Sequence, residues 1–488
     1  MSVIEILAIV IGCVEVLNLV LLFFMIFLEK KKPQSIIAWM TILTFLPVIG
    51  FGFYVLLGSG LSLRTRRMIK KKQLSNYDLL KKYDWRGTLA DLKDSPELIT
   101  DLQFARFCFG KGAYPCLYNN VKIFNFGLEK ISALKEDLLN AKESINIEYY
   151  IFADDRVGRE VMDILLQKAK EGVRVKFLYD SIGCKKTKKR FFNQIKKAGG
   201  EVAEFFPPFM HIRAINLKLN YRNHRKIVVI DGKIAYTGGI NVRDDHMGMK
   251  KRLSPWRDTH VRIEGSGVIP LQNIILNDWR YATNDKHKTT DFIKEGYFPT
   301  PTKKGDTTIQ VLTSGPASTS FDLKQAFVKL LTNAKKRVWI QTPYFVPDDC
   351  VYEAIKIALS SGVDIRLMIP KKPDKKVVYL PTISYAEEMV NLGVKVYMYN
   401  GFLHSKTIIV DDDKLSIGTC NIDNRSFDLN FEDVVYMYSK KLNREYSRQY
   451  EEDVKNSVSA DKQYFKRYSF FNKMAQAFYR LLSPLLWF

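Results

Sequence analysis

Cysteine is scarce here, and scattered. The six thiols, Cys13, Cys108, Cys116, Cys184, Cys350 and Cys420, form no C-x-x-C pair in 488 residues. That excludes a cysteine zinc site and a disulfide framework, and fits structural thiols in a reduced compartment. Acid is in short supply too. Fifty-two Asp and Glu face 75 Lys and Arg, a net charge of +23. Such a surplus seeks a polyanion, either nucleic acid or an anionic membrane. Long apolar runs are missing beyond residue 58, and mean hydropathy is only −0.14, so a polytopic transporter is excluded. What is present, 47% hydrophobic and 13% aromatic residues, excludes a mainly disordered chain. The length predicts two to four domains.

The N-terminus holds the only long apolar stretches. Residues 6–28 are interrupted only by Glu15 and Asn18, and residues 36–58 carry no charge. Each stretch, at about 20 residues, is long enough to span a bilayer. Glu29-Lys30-Lys31-Lys32-Pro33-Gln34-Ser35 joins them. No basic segment precedes the first stretch, which argues against a cleaved signal. A two-span membrane hairpin is expected; a buried soluble hairpin, or one that enters without crossing, is the alternative. Arg64, Arg66, Arg67, Lys70, Lys71 and Lys72 outnumber the loop lysines, so the positive-inside rule puts the following body in the cytoplasm. Glu15 is costly in a span unless it faces protein or headgroups.

The other end is amphipathic. Phe470, Phe471, Met474, Phe478, Leu481 and Leu482 recur at helical spacing, with Lys466, Arg467, Lys473 and Arg480 among them. Ser483-Pro484 ends that helix before Leu485-Leu486-Trp487-Phe488. It suits an anionic membrane surface, or packing onto the body.

Between the ends, β-branched runs alternate with helical patterns, as in α/β domains. A strand at 145–152, a helix at 158–170 and a strand at 174–180 recur as a strand at 337–345, a helix at 350–359 and a strand at 364–370. Asp154-Asp155 and Asp348-Asp349 hold matching places. A polar stretch rich in Pro, Lys and Thr connects the two units. The repeat then becomes sharp. His224-x-Lys226-x4-Asp231 is followed by Gly238-Gly239-x-Asn241. His404-x-Lys406-x4-Asp411 is followed by Gly418-Thr419-x-Asn421. By chance a single H-x-K-x4-D is expected roughly 0.04 times in a chain with this few histidines.

These paired motifs resemble the phospholipase D superfamily over residues 125–455. The resemblance implies two α/β halves packed about a pseudo-twofold axis, with both motifs at the shared interface. The chemistry makes sense of two copies. Displacement at a phosphodiester is in line, so one group must act on each side of phosphorus. Alternation puts His and Lys of each motif on one face. One neutral imidazole can attack and form a phosphohistidine while a protonated partner serves the leaving alkoxide. Lys226, Lys406, Asn241 and Asn421 can donate to the non-bridging oxygens.

By resemblance, the catalytic set is His224, Lys226, Asp231, His404, Lys406 and Asp411. His224 is the expected nucleophile and His404 the acid/base, though the motifs are alike enough to allow the reverse. Asp258 and Glu432 match the carboxylates that orient the imidazoles. Asp231 and Asp411 look more structural, bonding turn backbone. No metal or other cofactor is expected, and Asp411-Asp412-Asp413 reads as a solvated turn.

Other segments are similar to bacterial cardiolipin synthases: Pro33-Gln-Ser-Ile-Ile-Ala-Trp39, Leu46-Pro47-Val-Ile-Gly50, Asn220-Tyr-Arg-Asn-His-Arg-Lys226, Trp256-Arg-Asp-Thr-His260, Thr342-Pro-Tyr-Phe-Val-Pro-Asp348 and Leu482-Ser-Pro-Leu-Leu486. That resemblance implies transfer of a phosphatidyl group between two phosphatidylglycerols in a bacterial cell membrane, with glycerol released. Anionic lipid explains the basic balance, and Lys185, Lys186, Lys188, Lys189, Arg190, Lys250, Lys251 and Arg252 are candidate surface contacts. Tyr150, Tyr344 and Phe345 are candidates to line the mouth of the site. The rivals are a phospholipase or other phosphatidyltransferase using water, serine or another alcohol, a nuclease, and a catalytically dead scaffold. The hairpin argues against nucleic acid as the partner. The expected division is a hairpin at 1–60, a basic connector at 61–124, a first half at 125–285, a linker at 286–308, a second half at 309–455 and a membrane-associated terminal helix at 456–488.

Overall fold

The computed structural model describes residues 2–27, 33–54, 79, 82, 102–207, 221–316 and 322–482. One sheet of sixteen strands runs through both halves. Its centre is the antiparallel pair Cys116–Phe124 and Thr307–Ser314. Outward on one side come His260–Glu264, Ile234–Gly238, Lys226–Ile230, Ser144–Tyr149, Arg174–Asp180 and Glu201–Phe205. Outward on the other come Asn430–Tyr438, Lys414–Gly418, Thr407–Val410, Arg337–Gln341, Asp364–Pro370 and Lys395–Tyr399. The two series agree in order and sense. Each is antiparallel as far as its fourth outward strand and parallel beyond it.

The repeat read in the sequence therefore generates the pseudo-twofold. Helices Arg156–Lys170 and Asp349–Ser360 cover matching strands, and both start on a matching aspartate. Asp155 accepts from Gly158 N and Asp348 from Val351 N, satisfying amides that a helix start leaves free. Strand Lys226–Ile230 is buried at every residue, which explains an uninterrupted β-branched run instead of an alternating one. One core mixes both halves: Ile227, Val229 and Val261 pack with Trp339, Leu403, Ile409 and Leu415. The halves are thus fused over an apolar interior, which fixes the geometry of any site at their junction.

Several boundaries differ from the sequence expectation. The connector's last strand, Cys116–Phe124, lies at the heart of the sheet. The linker contributes the helix Thr289–Lys294 and buries Phe292, Tyr297 and Phe298, aromatics that its polar composition masks. At the far end, Ser457–Ala460 adds an edge strand beside Lys395–Tyr399.

The first apolar stretch is a single helix, Val3–Phe27, largely exposed and long enough to cross a membrane. The second is broken into Pro33–Phe45 and Pro47–Phe53. Pro47 has no N–H to give the Leu43 carbonyl. Asn18 takes over that duty: its amide donates to Leu43 O at 3.4 Å and to Pro47 O at 3.1 Å. The polar residue in the first helix is thus the fastening for the break in the second. Glu15 is exposed. The loop lysines 30–32, the end of the second stretch at 55–58, the cluster from Arg64 to Lys72, Asn220 and the tail from Ser483 lie outside the described residues.

Candidate active site

Short strand pairings seat both motif histidines. Arg222–Asn223 pairs with the start of Asn430–Tyr438, and His224 N donates to Phe431 O at 3.0 Å. Phe402–Leu403 pairs with Trp256–Arg257, and His404 N donates to Arg257 O at 2.7 Å. Each pairing joins one half to the other. The residue next along each partner strand is a carboxylate, Glu432 or Asp258.

The result is a pair of crossed dyads. His224 Nδ1 lies 2.9 Å from Glu432 Oε2, and His404 Nδ1 lies 2.6 Å from Asp258 Oδ2. Each histidine belongs to one half and its carboxylate to the other. Both carboxylates are fully buried. With Nδ1 held, each Nε2 is the nitrogen left for chemistry. Lys226 and Lys406 each send the ammonium to the carbonyl of their own motif histidine. Tyr150 stands edge-on to His224, with ring centroids 4.8 Å apart, and Lys226 lies over the Tyr150 ring.

Burial dominates the electrostatics. It pushes Lys226 down to about 7 and Lys406 down to about 8, against the pull of Glu432 on the first and of Asp258 and Glu432 on the second. It holds His224 well below the usual imidazole range, helped by Lys226, Lys406 and Arg425. His404 is lowered by burial and Lys406, against the pull of Asp258. The carboxylates diverge. Glu432 is pushed up to about 7 by burial. Burial would raise Asp258 also, but His404, Lys406 and His246 together hold it well below the usual range. In the His404–Asp258 pair the ionised carboxylate is the firmer of the two states, because three neighbours act on it with one sign.

Two family models match the chain. One, described as "Cardiolipin synthase, PLD-like domain", covers residues 134–251 and 327–454; the other, "Phospholipase_D-nuclease N-terminal", covers residues 16–59. A cardiolipin synthase of Listeria welshimeri is 39% identical, over 94% of this chain and 95% of its own. The major cardiolipin synthase ClsA of Bacillus subtilis is 38% identical, over 96% and 98%. This chain belongs to the cardiolipin synthase family. Its fold matches that of phosphatidylserine synthase from Haemophilus influenzae Rd KW20, with a TM-score of 0.60 over 79% of this chain and all of that one, at 15% identity.

Not every residue of the family motif stands beside the paired imidazoles. The Asp231 carboxylate accepts from the backbone N–H groups of Lys142, Glu143 and Ser144. Asp411 does the same for Lys335, Lys336 and Arg337. Both adopt a left-handed backbone, φ 53° and φ 50°. They tie the turn after the motif strand to the start of the neighbouring strand, away from the imidazoles. Asn241 is more committed than its phosphate role implies. Its Oδ1 accepts from Ile151 N and its amide nitrogen faces His246 Nε2 at 3.3 Å. Asn421 is buried, and its Oδ1 has no partner among the described residues. Phe345 is fully buried in the core, which removes it from the mouth; Tyr344 is only partly buried and donates to Asp374.

The sequence reading missed His246. It sits on the one-turn helix Asp244–Met247, with Nδ1 3.7 Å from Asp258 Oδ2 and its ring 5.2 Å from that of His404. His246, Asp258 and His404 offer ligand atoms within 4.8 Å of one another, the one such group of three among the described residues. At 2.6 Å, however, the His404 and Asp258 atoms are closer than two ligands of one ion sit. No motif covers His246. Its only signal was rarity, as one of six histidines 22 residues after a motif histidine.

Proposed function

We propose that this chain joins two phosphatidylglycerol molecules, giving cardiolipin and glycerol through a phosphohistidine. The crossed dyads carry this reading. Two imidazoles, each locked by a buried carboxylate, leave two Nε2 atoms to work on opposite sides of one phosphorus. A phosphodiester anion entering among Lys226, Lys406 and Asn421 compensates the buried positive charge. Beside ionised Asp258 it favours imidazolium at His404. Beside Glu432, whose carboxyl titrates near 7, His224 stays neutral.

His224 Nε2 then attacks phosphorus and the bond to the glycerol oxygen breaks. His404 gives its proton to that oxygen, and glycerol leaves. The hydroxyl of a second phosphatidylglycerol passes its proton to His404 and attacks the phosphohistidine, which releases cardiolipin and restores His224. One phosphodiester replaces another, so the exchange requires no nucleotide.

A membrane seat fits lipid substrates. The helix Val3–Phe27 exposes its apolar side chains along its length. Phe470, Phe471, Met474, Phe478 and Leu481 are each more than half exposed on the helix Phe470–Leu481. The opposite side is latched to the body, Arg480 to Glu388 and Lys473 to Glu387. Leu482 packs against the N-terminal hairpin, so the two apolar surfaces are continuous. In this reading the hairpin spans twice, the body is cytoplasmic and the terminal helix lies on the anionic leaflet. All eight candidate basic contacts, from Lys185 to Arg252, are exposed.

The test is an assay with labelled phosphatidylglycerol in mixed micelles, without nucleotide or metal. Cardiolipin and free glycerol, lost in both His224→Ala and His404→Ala, are expected. Phosphatidic acid in place of cardiolipin would make water the acceptor and overturn the synthase reading. Protease cleavage within residues 30–35 from outside intact cells is expected for two spans; protection there would overturn them.

A further inference from the structure

The two dyads differ in what stands behind them. Glu432 answers to His224 through Oε2 and to the Asn430 amide through Oε1, at 2.9 Å each. Asp258 answers to two imidazoles. His404 Nδ1 and His246 Nδ1 both face the same atom, Oδ2, at 2.6 and 3.7 Å. The Thr259 N–H holds the other oxygen, at 2.8 Å. His246 is buried, packed on Trp256 with ring centroids 4.2 Å apart and edge-on to His404.

Two Asn241 donors compete for its tautomer: the backbone N–H points at Nδ1 and the side-chain amide at Nε2, and a neutral ring can accept from only one of them. Its Nδ1 faces the Asn241 backbone N–H at 3.4 Å as well as Asp258. The Asn241 side chain decides between them. Its oxygen is engaged by Ile151 N–H, so its amide nitrogen is the atom turned to His246 Nε2. Burial lowers His246, which favours the neutral ring. A neutral imidazole that accepts at Nε2 carries its proton on Nδ1, towards the carboxylate.

We infer that His246 is a positioning residue for proton transfer: it steadies Asp258, and through it His404, and ties that dyad to Asn241. The inference rests on the reading of His404 as general acid. His246 touches neither the reacting phosphorus nor the leaving oxygen in this scheme. Its removal takes away one of the three groups that face the Asp258 carboxylate and so loosens the aim of His404. Among the described residues, no second imidazole faces Glu432. Tyr150 lies against His224, with the two rings steeply inclined to one another.

Leaving-group chemistry separates this role from a merely structural one. Glycerol departs as a poor leaving group and needs a proton. p-Nitrophenolate departs unprotonated near neutrality and does not. Full-length enzyme in mixed micelles is followed through a single turnover with phosphatidylglycerol and with phosphatidyl-p-nitrophenol. His246→Phe keeps the aromatic packing but loses both polar atoms. It is expected to slow glycerol release by ~10-fold or more and p-nitrophenol release by less than ~2-fold. His246→Gln can accept from Asn241 and donate to Asp258, and is expected to restore glycerol release to within ~3-fold of the wild type.

His404→Ala serves as the reference, with a larger loss of the same selectivity. Equal losses on both esters in His404→Ala would overturn the acid role itself, and this inference with it. Selective loss in His404→Ala, with His246→Phe either unaffected or slowed equally on both esters, would overturn the inference alone. Failure of His246→Gln to restore what His246→Phe loses would overturn the hydrogen-bond bridge and leave shape as the cause.

Discussion

The two halves use one backbone plan and two different carboxylates. In the first half's motif, Gly239 stands where the second half has Thr419. A Cβ built on Gly239 would come within 2.0 Å of Asp258 Oδ1. The short aspartate lies directly against the glycine backbone. In the other copy the longer glutamate goes with Thr419, whose hydroxyl accepts from Asp433 N at 3.0 Å, one residue beyond Glu432. Glycine with aspartate and threonine with glutamate are therefore matched sets. The difference teaches that the pseudo-twofold is a frame on which two unequal carboxylate–imidazole pairs are mounted. One carboxylate is ionised and shared by two imidazoles; the other sits near its own titration point.

The largest effects should ignore the difference. His224→Ala and His404→Ala should each lower cardiolipin formation by at least ~1000-fold, because each removes a group that acts alone on its side of phosphorus. A double replacement should cost little more than either one, since the two act in a single sequence. Rapid quenching with phosphatidyl-p-nitrophenol labelled in the phosphatidyl group, whose leaving group needs no proton from His404, sharpens the comparison. A covalent phosphatidyl adduct is expected in His404→Ala and absent in His224→Ala; an adduct in the latter alone would reverse the roles.

The matched sets can be broken next. Gly239→Thr should cost on the order of 100-fold in kcat, because the new side chain drives Asp258 from His404. Adding Asp258→Glu should recover part of that loss, as it recreates the second half's pair. No recovery in the double variant would mean that the two positions are not coupled. Thr419→Ala should lose only ~2- to 5-fold, as it removes hydrogen bonds to Asp433, the neighbour of Glu432, and leaves the bonds from Glu432 to His224 and Asn430 in place.

Titration should separate the carboxylates at smaller amplitude. Glu432 is pushed up to about 7, so it is charged above that pH and neutral below. Glutamine imitates the neutral form. The penalty of Glu432→Gln should be ~10-fold at pH 8 and shrink towards unity near pH 5.5, where the wild type has itself lost the charge. Asp258 is held well below the usual carboxylate range and stays charged throughout. The penalty of Asp258→Asn should be flat across the same window. Parallel profiles of kcat for the two variants would erase the proposed asymmetry.

Much of this site was legible in the sequence, for a physical reason. Histidine and lysine two apart, before a buried β-branched strand, must share a face, and the strand's register then sets where they meet. The spacing to Asp231 and Asp411 was equally rigid because it measures one strand and its turn. The crossing of the dyads was not legible. It depends on which strand of the other half pairs beside each motif, as Arg222–Asn223 does with Asn430–Tyr438. Long-range pairing leaves no local spacing. His246 was hidden for a similar reason, since its meaning comes from Asp258, between the strands Trp256–Arg257 and His260–Glu264. Asn18 was visible as an oddity, and only the break at Pro47 gave it a partner. The aromatics of the linker were missed because composition averages over the few side chains that enter the core.

The motif aspartates supply the gentlest test, and the one where the halves should agree. Asp231 and Asp411 each gather three backbone amides at a turn, and neither reaches an imidazole. Asp231→Ala and Asp411→Ala should each leave kcat per folded molecule within ~2-fold, since the loss falls on the scaffold. The cost should appear in thermal unfolding, at ~1–3 kcal/mol each. The amides served by Asp411 are all partly buried, whereas two of the three served by Asp231 are exposed to water. Water can replace a lost carboxylate at an exposed amide more readily than at a buried one, so Asp411→Ala should lower the midpoint further than Asp231→Ala. A large fall in kcat with unchanged unfolding, in either variant, would return that aspartate to the reaction and end its reading as a turn anchor.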